Sequence, residues 1–486
     1  MSVHRIPSYE KRRPEGTILY KTLASNLNSF LRNLSEEGKK LPVHVEKELW
    51  AYLECGVLAY GFMRLKCDDC ASEKLVAFSC KKRGFCPSCG GKKMSETAHH
   101  LIENIIPKVP VRQYVLSIPY PLRYWLASNK ELTGKVQKIL ARTVEEFYCD
   151  PNNKKTRSGA ITFIQRFGGA LNLNVHFHML QLEGFYQEKS TGEHKFIRTP
   201  APKDKDIKKL IELIQERVIR LLLRAGYLSK EENIPHTPND PLYKEEETYA
   251  SCMSASVQNR IALGERKGEN VRFIGPGFGY EGERAQIKSH LCAHVGGFSL
   301  HAGVLVKANR REDLERLISY TARPAISTER MSLTESGDIK YKLKKAWSNG
   351  KTHVLLSPLE LIEKLCALVP LPRMHLVRYS GVLAPNAKMR QGVIPGKTRA
   401  QIKAEQEEKN KEAKEKPTLL QKSSWAKLLA KVFEIDISKC SCGGKLKIIS
   451  AIRDPFAIRK ILSHLGLSPQ PPPIAPARYQ EDIFIS

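Results

Sequence analysis

The stretch Ala170-Leu171-Asn172-Leu173-Asn174-Val175-His176-Phe177-His178-Met179-Leu180 admits few structures. Leu171, Leu173, Val175, Phe177 and Met179 are apolar, and Asn172, Asn174, His176 and His178 between them are polar. A period of two is a β-strand with one face in a core; a helix would scatter the two imidazoles. On the polar face His176 and His178 stand side by side, roughly 7 Å apart by strand rise, close enough to share one metal ion. Ala160 to Phe167 is also strand-like, and Gly168-Gly169 joins the two as an antiparallel hairpin. Gln113 to Ile118 and Gly297 to Val306 read as further strands, and Leu132 to Tyr148 and residues 204 to 225 as helices. The expected fold class is α+β: over residues 111–396, a central antiparallel sheet with flanking helices.

Residues 16 to 65 read as helices, because Leu19, Leu23, Leu27, Phe30 and Leu31, then Val45, Leu49, Leu53 and Leu58, recur at helical spacing. Cys67-Asp68-Asp69-Cys70, Cys80 and Cys86-Pro87-Ser88-Cys89-Gly90-Gly91 follow. Two C-x2-C pairs separated by 15 residues (71–85) offer Cys67, Cys70, Cys86 and Cys89 to one tetrahedral Zn²⁺, with Cys80 as an alternative ligand. Four thiolates close the coordination shell, which makes such a zinc structural. A disulfide scaffold is the wrong class for the 12 cysteines, since the chain has 486 residues and is rich in lysine. Met1 to Arg13 has no apolar core of a secretory signal, so a cytoplasmic location is expected. Residues 1–110 are thus expected to form a helical and zinc-binding domain.

The formal charge is +28, from 79 Lys and Arg against 51 Asp and Glu. Such an excess points to a polyanionic partner, most simply nucleic acid. No stretch approaches the ~20 apolar residues of a membrane span. A helix from Arg311 to about Tyr320 carries Leu314, Leu317 and Ile318 as its apolar stripe, and Pro324 stops it. Tyr320 lies about 110° from the centre of that stripe at 100° per residue, among Arg316, Arg323 and Arg330. A tyrosine so placed fits either a phosphodiester nucleophile or an amphipathic surface residue. Tyr341, Lys342, Lys344, Lys345 and Trp347 form a basic aromatic stretch suited to stacking on bases. Residues 397–417 alternate Lys and Glu with few apolar residues, and 397–423 is read as a charged linker. Residues 424–468 read as a small module holding Cys440-Ser441-Cys442-Gly443-Gly444, too few ligands for a zinc site of its own, and 469–486 as a Pro-rich tail.

The segments Cys67 to Gly91, Leu171 to His178, Phe298 to Ala302, Leu314 to Pro324 and Leu376 to Ala387 together resemble rolling-circle insertion-sequence transposases. These belong to the HUH superfamily of single-strand endonucleases and carry an N-terminal zinc-binding domain. The resemblance runs from about residue 8 to about residue 468, and its most specific parts are His176-Phe177-His178 and Tyr320-Thr321-Ala322-Arg323-Pro324. It implies that His176 and His178 hold a catalytic Mg²⁺ or Mn²⁺ and that Tyr320 is the nucleophile. Some members have a second tyrosine where this chain has Arg316, so it resembles the single-tyrosine type. The implied reaction nicks single-stranded DNA at transposon ends through a 5′-phosphotyrosine and rejoins it to target DNA. From their charge, Arg316, Arg323, Arg330 and Lys344 are the expected contacts to the strand. The family's usual C-x2-C-G-G is C-x-C-G-G here, and its Arg-Pro-Pro is Arg323-Pro324-Ala325.

The third catalytic-metal ligand depends on the hairpin. A loop from about 168 to 173 sets Gln165 opposite His176, whereas a two-residue turn at Gly168-Gly169 sets Ile161 there; Asn174 and His301 are further candidates. Two other function classes stand beside the transposase: a zinc-knuckle nucleic-acid-binding protein whose histidine strand is structural, and a metal-dependent hydrolase that activates water.

Overall fold

The computed structural model describes residues 13–150, 152–153, 155–228, 240–275, 290–347, 349–397, 401, 440 and 442–478. Most of the charged linker, the Ser424-Trp425 start of the small module and the last residues of the tail lie outside the described residues. The chain is α+β, with several antiparallel sheets.

The histidine strand, Leu173–Leu182, lies inside a six-stranded sheet. Its order is Cys292–Val295, Phe298–Val306, Val111–Ser117, Leu173–Leu182, Gly159–Phe167, Val377–Gly381. Each neighbouring pair is antiparallel. The alternation in the sequence becomes two faces. Val175, Phe177 and Met179 join Tyr114, Leu116, Ala160 and Ile164 in one core, with Val136, Leu140 and Val144 of the helix Lys130–Tyr148 and Ile207 and Ile211 of the helix Asp204–Arg224. Ile161, Phe163, Leu180 and Leu182 build the opposite core with Leu314 and Ile318 of the helix Arg311–Ala322. His176 and His178 share that second face, since a strand alternates sides at every residue. Beneath the first face Arg112 donates to both carboxylate oxygens of Glu183, at 2.7 and 2.6 Å, and to the Ala302 carbonyl at 2.8 Å.

The hairpin is the wider of the two expected. Gly168 N–H donates to the Asn172 carbonyl at 2.8 Å, and the register pairs Gln165 with His176 and Phe163 with His178. Ile161 instead faces Leu180.

Helices Ile18–Glu36 and Val43–Glu54 open the described chain. Helix does not continue to residue 65. Gly56 and Gly61 have φ of 85° and 112°, left-handed values that break an α-helix, and Phe62–Cys67 is already a strand. That strand is the middle of a three-stranded sheet, between Glu73–Ala77 and Leu446–Ile452. The described part of the C-terminal module therefore completes an N-terminal sheet, and its helix Pro455–His464 packs Ile458 and Leu462 against Leu58 and Phe62. A four-stranded sheet holds Met331–Leu333, Ile339–Lys342, His353–Leu356 and Arg272–Ile274. Among the described residues no helix is long and apolar enough to cross a membrane.

Candidate functional site

His176 and His178 project from the second face with ring centroids 4.9 Å apart. His178 is 6% exposed. Burial pushes the His176 imidazole down to about 4; Arg123 and Arg323 add to this, and its bond to the Asn174 carbonyl opposes it. Burial pushes His178 down to about 3, helped by His176 and Arg323. Both rings are therefore neutral near pH 7, the state in which imidazole binds a metal. A carbonyl only accepts, so the 2.9 Å contact with Asn174 puts a proton on Nδ1 of His176 and leaves the Nε2 lone pair free. Nδ1 of His178 lies 3.1 Å from Nε2 of the Gln113 carboxamide; rotating that amide so that its oxygen faces the ring gives the same tautomer as in His176.

The helix Arg311–Ala322 crosses this face. Leu314 and Ile318 are its buried anchors, and Tyr320 remains 43% exposed. The Tyr320 ring stands edge-on to His178 with centroids 6.2 Å apart. The Lys344 ammonium lies 3.9 Å and the Arg323 guanidinium 4.6 Å from the Tyr320 ring centre. Gln165, 4% exposed, donates its carboxamide N–H to the Thr321 carbonyl at 2.6 Å and to the Tyr320 carbonyl at 3.4 Å. That pins the helix's last turn to the strand carrying Gln165 and leaves Oε1 as the atom with ligand capacity. Among the described residues, no group of three or more His, Cys, Asp or Glu ligand atoms includes the histidine pair. His301, on a different strand, does not complete it.

Beside Tyr320 is a cleft of about 260 Å³ lined by Phe167, Gly168, Arg323, Pro324, Arg330 and Lys344. Three of its ten lining residues, Arg323, Arg330 and Lys344, are cationic. Arg330 stacks over Tyr341 at 4.4 Å. Arg316 points elsewhere, pairing with Asp313 at 3.3 Å and Glu312 at 3.9 Å on the exposed helix surface. Tyr341 is fully buried in the core and cannot stack on a base, contrary to the expectation for its segment; Trp347 is exposed and packs on Phe273 at 4.8 Å.

The cysteines regroup. Cys67, Cys70, Cys86 and Cys89 do not meet at one centre. Cys86 and Cys89 join Cys55 and Cys80, while Cys67 and Cys70 join Cys440 and Cys442, each group having all sulfurs within 4.8 Å. The reason is the strand Phe62–Cys67 and its hairpin, which carry the first pair to one end of the small sheet. Cys86 and Cys89 begin the helix Pro87–His100 beside the end of the helix Val43–Glu54, where Cys55 lies. In the first group Sγ of Cys89 is 3.6 Å from Cys55 and 3.4 Å from Cys80, and Cys86 is 3.8 Å from Cys55. A tetrahedron of Zn–S bonds has sulfurs about 3.8 Å apart. Cys80 is thus one of the four, and Cys55 was missed. Its available signal was the Cys-Gly step, repeated at Cys55-Gly56, Cys89-Gly90 and Cys442-Gly443.

A family model described as "Putative transposase" matches residues 159–391, and one described as "Transposase zinc-binding domain" matches residues 24–118. The chain belongs to the IS91-type transposases. No curated protein and no solved structure matches it. The first match spans the transposase's histidine strand, Tyr320 and Lys344, and the second spans Cys55, Cys80, Cys86 and Cys89, supporting structural zinc in that domain. The zinc-side helix Pro87–His100 also packs on the transposase's Arg311–Ala322 helix. At their contact a Cβ on Gly90 would lie 2.6 Å from Cβ of Pro324, so glycine allows the two to touch.

Proposed function

We propose that the protein nicks and rejoins single-stranded DNA at the ends of an insertion sequence, with Tyr320 as nucleophile, and so drives rolling-circle-type transposition. The observation that carries the reading is the convergence of Tyr320 on the histidine pair, 6.2 Å from the His178 ring, with Arg323 and Lys344 of the neighbouring cleft held against its own ring. His176 and His178, through Nε2, and Gln165, through Oε1, would hold a divalent cation, Mg²⁺ or Mn²⁺. Such an ion supplies Lewis-acid polarisation of the scissile phosphate. Oη of Tyr320 attacks phosphorus in line, the O3′–P bond breaks, and the products are a 5′-phosphotyrosine and a free 3′-OH. Lys344 and Arg323, held against the Tyr320 ring, pair with the phosphate oxygens of the approaching strand. Rejoining is the reverse displacement by a 3′-OH, and the phosphotyrosyl bond conserves the linkage energy, so no nucleotide hydrolysis is required.

The test is incubation with labelled single-stranded DNA from the ends of its own element, with Mg²⁺ or with EDTA. A covalent protein–DNA adduct should form only with Mg²⁺ and be absent in Tyr320→Phe and His176→Ala. Cleavage that survives Tyr320→Phe would mean attack by water. Salt-sensitive binding with no cleavage would leave a DNA-binding protein with a structural histidine strand.

A further inference from the structure

We propose that Cys67, Cys70, Cys440 and Cys442 form a second tetrathiolate zinc site, separate from the buried one, that clasps the C-terminal segment of the chain to the N-terminal sheet. The matched zinc-binding domain ends at residue 118, so it supplies only half of these ligands. Sγ of Cys67 is 3.5 Å from Cys442, and Sγ of Cys70 is 3.5 Å from Cys440. These separations suit the edges of a ZnS₄ tetrahedron, about 3.8 Å, and are far from the ~2.05 Å of a disulfide.

The backbone is shaped for the same purpose. Cys440 N–H donates to the Gly444 carbonyl at 2.7 Å and Gly443 N–H to the Cys440 carbonyl at 3.0 Å, folding C-x-C-G-G into a tight knuckle. Gly443 has φ of 90°, and a Cβ on Gly444 would fall 2.7 Å from Sγ of Cys67. Glycine at 444 is therefore what lets the C-terminal knuckle close over the N-terminal sulfur. Gly444 N–H also points at Sγ of Cys442, 3.4 Å away, a donor that favours a thiolate. Lys447 pairs with Asp68 at 2.9 Å and ties the two knuckles together at their rim.

Around the four sulfurs the fully buried apolar support is small: Leu58, Phe62, Ile458 and Leu462 in one cluster, Leu65, Cys67, Cys440 and Leu446 in the other. Cores of that size are usually stapled by a metal or a disulfide. Cys70 and Cys442 are exposed, whereas three of the four sulfurs of the other site are buried, so the clasp loses its metal first.

Metal analysis of the full chain, prepared under reducing conditions, should find two zinc ions, falling to one in Cys440→Ser/Cys442→Ser. Amide exchange in Leu446–Ile452 and Phe62–Cys67 should then quicken by roughly tenfold or more, with Leu173–Leu182 unchanged. A titration of the native chain with a zinc chelator gives the same answer without a substitution: one equivalent should leave first, together with the protection of Leu446–Ile452. One zinc in the native chain, two retained in the double variant, joint loss of both ions, or protection that outlasts the first equivalent would each overturn the proposal.

Discussion

Gly90→Ala isolates the mechanical link between the zinc-side helix and Tyr320. Gly90 lies inside the helix Pro87–His100, where alanine is intrinsically better by roughly 0.5–1 kcal/mol. Its new Cβ, however, would stand 2.6 Å from Cβ of Pro324, against an ordinary carbon contact of about 3.5–4.0 Å. The neighbour is a rigid ring that cannot swing away, so one helix must retreat by about 1 Å, and overpacking of this kind costs roughly 1–3 kcal/mol. The two terms partly cancel in global stability, which should fall by no more than about 2.5 kcal/mol. Position does not cancel. Pro324 follows the helix that carries Tyr320, and a misplacement of about 1 Å at a reacting group costs on the order of 100-fold in rate. The assay is the initial rate of adduct formation on labelled single-stranded DNA, alongside thermal unfolding and zinc content. Gly91→Ala is the control, since a Cβ there meets nothing within 4 Å. A folded, zinc-replete Gly90→Ala protein that nicks within about twofold of the native rate would show that the Gly90–Pro324 contact does not position Tyr320.

Acid should act on the histidine pair by a definite route. Folded His176 and His178 stay neutral down to about 4 and about 3, whereas the unfolded chain takes up protons near 6.5, so stability falls as pH drops from 6.5 towards 3. Imidazole NMR signals of the metal-free protein should show neither ring titrating between pH 7 and 5, and a ring with midpoint near 6.5 would contradict its burial. Arg112→Met strands the Glu183 carboxylate, whose side chain is fully buried, and should lower the urea-derived stability by about 3–5 kcal/mol. Lys344→Ala should weaken single-strand binding and reduce the slope of log affinity against log salt by roughly one phosphate contact.

The central sheet was legible because its signal is local. Every odd residue from Leu171 to Met179 is apolar, and that alone assigns each side chain to a face. The loop length then fixes what stands opposite His176, and Asn172 closing on Gly168 selects Gln165 over Ile161. The cysteine partners were not legible in the same way. C-x2-C spacing says that two sulfurs share a centre, but which pair joins which is decided by a strand that turns Cys67 and Cys70 away from Cys86, and by a return of the chain some 370 residues later, the 370 and 375 residues separating Cys70 from Cys440 and Cys67 from Cys442. Tyr341 misled for a related reason. Its segment alternates lysine with apolar residues, Lys340-Tyr341-Lys342-Leu343-Lys344, and composition reads that as a basic surface. In the strand Ile339–Lys342 the same alternation buries Tyr341 beneath the lysines.

The arrangement also bears on why the site proposed here should need a zinc domain at all. A 12-residue helix is too short to hold its own last turn, and Arg311–Ala322 has only Leu314 and Ile318 as deep anchors in its first two-thirds. Tyr320 lies beyond them, where a free helix would fray. Three contacts restrain that end: the Thr321 hydroxyl donating to the Ile318 carbonyl at 2.8 Å, Gln165 donating to the Thr321 carbonyl, and Pro324 against Gly90. The last belongs to a helix whose own start holds Cys86 and Cys89 of the buried cluster. The four sulfurs therefore fix the direction of one helix, and that helix fixes the end of another. Tyr320 can then stay exposed enough to meet a DNA strand without depending on that strand to be held in place.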